Sequence, residues 1–483
     1  MRMDDTICAL STPQGMGAIA MIRLSGAESF SIFDKVFRPY KKQPVSEAKG
    51  YTLHFGKIVD GQQTLDEVMV GVFTNPHSYT GEDVIEISCH GSVYIQEQII
   101  KLLLKNGCRM ADPGEYTMRA FINGKMDLSQ SEAVADLIES ESKAAHQVAI
   151  QQMRGGFSNE IKELRGELIN FASLIELELD FAEEDVEFAD RTQLTNLLTR
   201  IKTVVKRLID SFDTGNVIKN GVPVAIVGAP NAGKSTLLNA LLNEEKAIVT
   251  EIAGTTRDAI EDEISINGIK FRFIDTAGIR ETEDVVESMG IQKTFEKISQ
   301  SQFVLYMFNA AGATTSFGHK SADDEKTIID KRGLPRHLLI RKEIEELQQK
   351  LSDQKLLIVA NKMDLADEEM LKKQFEEFPE MIMISALHKT GLDTLIKALS
   401  ASVNLSLINS NQTIVTNARH YHALQQSLED IIRVEEGMAN NISGDFMAMD
   451  IREALKHLGS IIGEVDTDRD ILGNIFGKFC IGK

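Results

Sequence analysis

Nine prolines punctuate the 483 residues of this chain, and none falls between Pro113 and Pro223. A proline inside a helix removes a backbone hydrogen bond and clashes with the preceding turn, so a gap of this length is where long helices are permitted. The residues in the gap have helical periodicity. LSQSEAVADLIESESKAAHQVAIQQM and NEIKELRGELINFASLIELELDF repeat apolar residues at i, i+3 and i+4. The chain beyond Pro379 is also free of proline. There HYHALQQSLEDIIRVEEG and DFMAMDIREALKHLGSIIGEV carry the same period, and Asn441-Ile442-Ser443-Gly444 is the predicted break between two helices.

Elsewhere the texture changes. Before Pro113, short β-type runs (AIAMIRL, YTLHFGKIV, DEVMVGVF, DVIEISCH) sit between glycine, proline and asparagine punctuation, which predicts a small α+β domain. From Val222 to about Leu399, the runs PVAIVG, FRFIDTAG, FVLYMFN, KLLIVAN and MIMISA alternate with helical stretches, the pattern of a parallel sheet with crossover helices. An α/β segment therefore interrupts two helical blocks. The simplest arrangement packs those blocks together as one helical domain and inserts the α/β domain into it. The expected boundaries are 1–123, 124–220, 221–404 and 405–483, and the length agrees with about three domains.

Lys and Arg number 52 against 72 Asp and Glu, a formal net charge of -20. Such a chain does not coat nucleic acid through its overall field, so any contact with RNA is local or supplied by a partner. Four cysteines, Cys8, Cys89, Cys108 and Cys480, with no CxxC pair, make no disulfide framework and point to a reducing, cytoplasmic setting. The acidic start MRMDDTICAL is unlike a signal or transit peptide, and no apolar run is long enough for a bilayer, so no membrane association is expected.

Gly228-Ala229-Pro230-Asn231-Ala232-Gly233-Lys234-Ser235 fits GxxxxGK[ST] directly after the predicted strand PVAIVG and ahead of the helix STLLNALLN. In that context the backbone N–H groups cradle phosphates, Lys234 reaches the β- and γ-phosphates, the Ser235 hydroxyl ligates Mg²⁺, and Thr236 joins the nucleotide contacts. Three further elements follow in order. Asp275-Thr276-Ala277-Gly278 ends a strand, where its carboxylate holds Mg²⁺ through water and the glycine N–H senses the γ-phosphate. Thr255 and Thr256 lie upstream in GTTRD. Asn361-Lys362-Met363-Asp364 follows another strand, and Asp364 can accept both the ring N–H and the exocyclic amino group of guanine. Adenine lacks that donor pair, so the site selects GTP over ATP. Ser385-Ala386-Leu387 then offers the Ala386 N–H to the guanine carbonyl.

Hydrolysis needs another ingredient, because Ile279 stands where Ras-type enzymes place a water-orienting glutamine. Two readings stay open on the residues alone. Asn231, with the loop Thr250-Glu251-Ile252-Ala253-Gly254-Thr255, either coordinates a monovalent cation or merely caps its own turn. The acids Glu281, Glu283, Asp284 and Glu287 either position water or form a solvated face.

The set GAPNAGKS, IVTEIAGTTRD, DTAGIRETEDVVESMG, STPQGMGAIAMIRLSG, SYTGEDVIEISCHGS, PGEYTMRAFINGKMDLSQSEAVADLI and CIGK closely resembles the MnmE (TrmE) family of tRNA-modifying GTPases, from near residue 1 to Lys483. The resemblance implies a multidomain α+β protein. Its parts are an N-terminal α+β folate-binding domain, an all-α helical domain formed from two separated segments, and an inserted Ras-like α/β P-loop GTPase domain. It further implies a homodimer formed through the N-terminal domains, which works with an MnmG-type FAD-dependent protein as a heterotetramer on the wobble uridine of certain tRNAs. The implied product carries an aminomethyl or carboxymethylaminomethyl group at the uridine five-position. A tetrahydrofolate derivative, 5-formyl- or methylene-tetrahydrofolate, is the implied one-carbon source, and hydrolysis needs K⁺.

Residue by residue, Asn231, Thr250, Ile252 and Thr255 match the family's potassium site, Ser235 and Thr256 its magnesium ligands, and Glu287 its catalytic acid. Arg23, Glu82, Lys125 and Lys483 match folate contacts, and Cys480 matches a tail cysteine implicated in modification. The residues themselves also allow ordinary salt bridges at the folate positions and an inert buried thiol at Cys480. An Era-like ribosome-assembly GTPase is disfavoured because no KH-type GXXG segment is evident after residue 400. A non-catalytic folate scaffold is disfavoured by the intact P-loop, metal and base elements. Two departures from the family stand out: Asn309 after FVLYMF, and an apparently long segment from Ala310 to about Gln354 expected as surface helix.

Overall fold

The computed structural model describes residues 5–41, 43–180, 191–244, 261–275, 298–299, 301–314, 335–352, 354–401, 413–440, 442, 444–464, 475–477, 479 and 482. These group into two compact units, one of Met1–Ile138, Ala149–Arg207 and Arg419–Lys483, the other of Glu139–Val148 and Leu208–Ala418.

The first unit begins with a seven-stranded sheet ordered β3-β4-β5-β6-β2-β1-β7. Its strands are β1 (Ile7–Leu10), β2 (Ile19–Ser25), β3 (Phe37–Pro39), β4 (Thr52–Asp60), β5 (Gln63–Phe73), β6 (Val84–His90) and β7 (Arg109–Met110). Period-two alternation decides the faces. Val68, Val70 and Val72 of β5, with Ile85 and Ile87 of β6, are buried in one cluster with Ile32, Phe33 and Val36 of helix α1 (Ser29–Val36) and Ile99, Leu102 and Leu103 of α2 (Val93–Lys105). The intervening residues form the opposite face. Leu53 pairs with Gly71, Phe55 with Met69 and Lys57 with Glu67. Leu53, Phe55 and Met69 stay 73%, 48% and 43% exposed, and Tyr40 stacks on Phe55 at 5.1 Å.

Helix α3 (Glu115–Ile122) starts at Gly114, which has a φ of 66° and where a Cβ would lie 2.5 Å from the Phe476 carbonyl oxygen. Phe476 and Phe479 close over α3 in a cluster with Met118 and Leu128. Next come α4 (Leu128–Ile138), α5 (Lys143–Met153), α6 (Gly156–Asp180), α7 (Arg191–Asp210) and α8 (Phe212–Asn220), of which α8 and the start of α5 belong to the second unit. The periodic run that begins at Leu128 forms two helices, α4 and α5. The Ser142 hydroxyl accepts the Ala145 N–H at 3.1 Å and starts a new helix there, a side-chain cap competing with helix continuation.

The second unit is built on a six-stranded sheet ordered β13-β12-β11-β8-β10-β9. Its strands are β8 (Val222–Val227), β9 (Glu261–Ile266), β10 (Ile269–Asp275), β11 (Phe303–Asn309), β12 (Lys355–Asn361) and β13 (Ile382–Met383). The register is parallel from β10 through β8, β11 and β12 to β13. The helices are α9 (Lys234–Glu244), α10 (Ala310–Thr314), α11 (Arg336–Lys350), α12 (Glu368–Gln374) and α13 (Leu392–Ala401). Phe303, Leu305 and Met307 share a cluster with Leu237 and Leu241 of α9 and Leu395 and Leu399 of α13, whereas Val304, Tyr306 and Phe308 pack with Ile340 and Ile344 of α11 and Leu371 of α12. A strand covered on both faces reads as an unbroken apolar run, as FVLYMF does.

One expectation changes here. Strand β9 pairs antiparallel with β10 through the turn Asn267-Gly268, both residues with positive φ, so the sheet is mixed at its edge. Helix α11, in the segment expected as surface helix, is a mostly exposed helix that also serves as the crossover between β11 and β12. Ile340, Ile344 and Leu347 are buried, and Glu343 accepts the Tyr306 hydroxyl.

The chain then returns to the first unit with α14 (Ala418–Ala439) and α15 (Gly444–Ile462). Helix α15 packs against α6 and α4, which joins the two separated helical segments. Glu132 of α4 makes the polar link: Arg419 donates to both its oxygens at 3.0 and 2.8 Å, and His420 Nε2 lies 2.7 Å from Oε2. Among the described residues, no helix is long and apolar enough to cross a membrane.

Candidate functional sites

In the second unit, the residues expected to hold a nucleotide collect at the carboxyl ends of β8, β12 and β13, where parallel α/β sheets bind ligands. Gly228 leaves β8 at φ 147°, and a Cβ there would lie 2.0 Å from the Met307 carbonyl oxygen. Asn231 takes the left-handed conformation at φ 63° and is exposed. Gly233 follows at φ 97°, where a Cβ would meet Asn361 Nδ2 at 2.3 Å. Ala232 is buried, and Lys234 opens α9, its Nζ donating to the Gly228 carbonyl at 2.9 Å. Ser235 and Thr236 are exposed in the first turn of α9, where unpaired N–H groups and the helix dipole favour an anion.

Asn361 ends β12 and is nearly wholly buried. Its Nδ2 donates to the Ala232 carbonyl at 2.8 Å, and its Oδ1 accepts the Ala386 N–H at 3.0 Å. One side chain thus ties the phosphate loop to the SAL loop. Lys362 adopts φ 66° and turns the chain so that the Met363 N–H reaches the Ile384 carbonyl at 3.1 Å. Asp364 accepts the Ser385 hydroxyl, and that hydrogen bond, outweighing burial, lowers its carboxyl below the usual range. Ser385 and Thr390 exchange backbone hydrogen bonds at 2.9 and 3.1 Å, which closes the loop carrying Ala386 and the exposed Leu387. Asp275 ends β10, with its backbone beside Ile226. Thr250, Glu251, Ile252, Ala253, Gly254, Thr255, Thr256, Thr276, Ala277, Gly278 and Glu287 lie outside the described residues.

The first unit assembles a different constellation. Arg23 of β2 donates through Nε and Nη2 to Glu86 Oε1 at 2.9 and 2.7 Å, and its guanidinium lies 5.7 and 5.6 Å from the ring centroids of Tyr79 and Tyr116. Tyr116 returns a hydrogen bond to the Arg23 carbonyl at 2.7 Å. Two residues along β2, Ser25 donates to Glu82 Oε2 at 2.6 Å and meets Thr80 Oγ1 at 2.7 Å. Gly81, at φ 78°, brings this loop so close to Asn123 and Lys125 that a Cβ would lie 3.1 Å from Asn123 Cβ and 3.4 Å from Lys125 Cδ. Lys125 is exposed, and its Nζ donates to the Pro76 carbonyl at 2.9 Å. Gly482 reaches the end of β1, its carbonyl accepting the Ser11 hydroxyl at 3.0 Å. Cys480 and Lys483 lie outside the described residues.

Behind Glu82 stands a residue that the sequence reading passed over although its motif, PGEYTMRAF, was in view. Arg119 is wholly buried on α3 and donates to both Glu82 oxygens at 3.1 and 3.2 Å. It also binds the Asp5 carbonyl and carboxylate and Glu115, each at 2.9 Å. Glu115 is shared with Arg109, whose two nitrogens reach it at 3.0 and 2.6 Å. Burial alone would raise the Glu115 carboxyl, but Arg109, the Asp112 N–H and Arg119 outweigh it and the net direction is downward. The only sequence signal for this network was a charged pair, Glu115 and Arg119, at i, i+4 amid apolar residues.

Comparison with known proteins adds the following. Residues 6–125 match the family described as GTP-binding protein TrmE N-terminus, and residues 128–480 match the MnmE helical domain family. A protein of Christiangramia forsetii named tRNA modification GTPase MnmE is 56% identical over 492 aligned positions, covering 100% of both chains. One of that name in Flavobacterium johnsoniae is 58% identical over 99% of each chain, and one in Bacteroides fragilis is 54% identical over 99% of each.

Proposed function

The chain belongs to the MnmE (TrmE) family of tRNA modification GTPases, and from that premise we propose how its two constellations divide the work. As a GTPase of this family it binds nucleotide with Mg²⁺. Asp364 and the Ala386 N–H read the guanine edge, the loop from Asn231 to Thr236 cradles the phosphates, and Ser235 with Thr256 holds the metal. The observation that carries this reading is Asn361, which holds the Ala232 carbonyl and the Ala386 N–H in one buried bridge. Glycine at 228 and 233, where a Cβ has no space, keeps the phosphate loop close to its neighbours.

In this proposal K⁺ occupies a site formed by Asn231, Thr250, Ile252 and Thr255, and supplies the charge that an arginine finger provides elsewhere. The left-handed, exposed Asn231 fits that role because its side chain is not needed inside the loop. Glu287 is the proposed water-binding acid. GTP turnover should rise in KCl over NaCl, and Asn231→Ala should remove the difference; equal turnover of the wild type in both salts refutes the K⁺ site.

The N-terminal constellation is the proposed reduced-folate site. In this reading Arg23, Lys125 and Lys483 pair with the carboxylates of the ligand and Glu82 accepts from the amide and amino donors of the pterin. Support comes from the packing of the Glu82 loop against Lys125. A homodimer through the N-terminal domains is favoured by the exposed apolar face of β4 and β5. With an MnmG-type flavoprotein, a cytoplasmic dimer of this kind would add the aminomethyl or carboxymethylaminomethyl group to the wobble uridine, GTP hydrolysis acting as the conformational drive and Cys480 acting at the tail. The proposed domains are 1–123, 124–220, 221–404 and 405–483. Mass spectrometry of wobble uridines from cells with and without this protein tests the pathway. Identical nucleosides in both refute it.

A further inference from the structure

We propose that Arg119 is a positioning residue of the N-terminal site, the buried guanidinium that sets the plane of the Glu82 carboxylate for a pterin edge. The inference rests on the folate reading of that site and names how its acceptor is held.

Arg119 has no conformational latitude. Its Nη1 donates to the Asp5 carbonyl and to both Glu82 oxygens, its Nη2 to Asp5 Oδ1 and Glu115 Oε1, and its Nε to Glu115 Oε1 at 3.3 Å. Glu115 is fixed in turn by Arg109 and by the Asp112 N–H at 2.8 Å. The guanidinium is planar and cannot lose its charge in a protein, and its contacts with Asp5 and Glu115 hold that plane, so Nη1 meets both Glu82 oxygens from a fixed direction that a lysine ammonium, a point charge, would not secure.

Glu82 receives that orientation from one side. A carboxylate offers about four lone-pair directions. Arg119 uses inward-facing ones on both oxygens, and Ser25 takes another on Oε2 at 2.6 Å. The Glu82 side chain is still 17% exposed, next in sequence to Gly81, which lies against Lys125, so the remaining directions face outward. A reduced pterin presents an amide N–H and an amino N–H side by side. Both bonds form only when the two carboxylate oxygens lie in the ring plane, and a carboxylate held there before the ligand arrives avoids the entropy cost of freezing it.

Network economy favours this role over a purely architectural one. A buried ion cluster contributes little stability over a well-packed apolar core, because desolvation offsets most of the attraction. In the same stretch of α3, Met118 and Ala120 are buried without such a cluster.

The test is calorimetric binding of 5-formyltetrahydrofolate to the full chain as wild type, Glu82→Gln, Arg119→Lys, Arg119→Met, Ser25→Ala and the double variant Glu82→Gln/Arg119→Met, with thermal unfolding to identify the variants that fold. The expected result is roughly a tenfold to hundredfold loss of affinity for each Arg119 variant, the fold-change that accompanies loss of a charge-assisted hydrogen bond, and a smaller loss for Ser25→Ala. The double variant should bind no more weakly than Glu82→Gln alone, because Arg119 acts through Glu82. A purely structural arginine would make the two losses multiply, and that result overturns the proposal. If Arg119→Met does not fold, Arg119→Lys and Ser25→Ala decide, and wild-type affinity in both overturns it. A wild type that fails to bind the folate overturns the folate reading itself and this inference with it.

Discussion

Replacing Glu132 by glutamine removes one negative charge from the junction between α4 and α14 and leaves the shape of the side chain intact. Glu132 is buried, and burial alone would raise its carboxyl; the neighbouring His420, with Arg419, more than reverses this and holds it down at about 2. The drop from 4.5 to about 2 is worth roughly 3 kcal/mol at about 1.4 kcal/mol per pH unit. The sign follows from linkage: a carboxyl depressed in the folded state stabilises it fully above the unfolded value of 4.5 and loses that contribution as pH falls toward about 2. Near pH 7 the wild type should therefore exceed Glu132→Gln by roughly 3 kcal/mol, and by pH 4 the gap should have narrowed by about 1 kcal/mol. Hydrogen exchange read by mass spectrometry on peptides from α4, α6, α14 and α15 gives the local opening free energies directly. A gap that stays constant from pH 7 to pH 4 would refute the assignment, because a neutral glutamine differs from a glutamate in a pH-dependent way only if the charge matters.

Other outcomes follow from the two sites. Asn361→Ala leaves the Ala232 carbonyl and the Ala386 N–H without their buried partner, at a cost of about 2–4 kcal/mol shared between loop order and ligand, so GTP affinity measured with a fluorescent analogue should fall about tenfold to a hundredfold. Asp364→Asn turns one acceptor into a donor; binding should shift from guanosine toward xanthosine triphosphate, whose carbonyl replaces the amino group, and unaltered preference would exclude Asp364 from base reading. Phe55→Glu places a charge in the exposed apolar face of β4 and β5, and light scattering should then report a monomer, against the dimer proposed for the wild type.

Much of this architecture is visible in the order of residues, for physical reasons that differ by element. The strands β8, β11 and β12 were legible because burial on both faces demands unbroken apolar runs, and the phosphate loop because its glycines have no substitute where a Cβ would meet the Met307 carbonyl or the Asn361 side chain. The hairpin of β9 and β10 was also written, in Asn267-Gly268 between alternating apolar residues, yet it is easily lost beside a dominant parallel pattern. The split of α4 from α5 turned on one hydroxyl, Ser142, whose capping choice no periodicity reveals. Least legible was the cluster around Arg119. Its partners Asp5, Glu82 and Glu115 lie 114, 37 and 4 residues away, and only the fold brings them together.

The junction of α4 with α14 has a kinetic side as well. Glu132 and Arg419 are 287 residues apart, so the helices that look most local in the sequence complete one of the most distant contacts in the chain. Closure of so long a loop is slow, whereas the strands of the sheet between them all lie in the one stretch from β8 to β13, which can fold as a unit while the later helices are still being synthesised. During translation the first helical segment must wait with its apolar stripe uncovered until α14 and α15 emerge. The interval during which a chaperone has most to protect is therefore set by the length of the inserted domain, and lengthening that domain would prolong exposure even where the finished fold is unchanged.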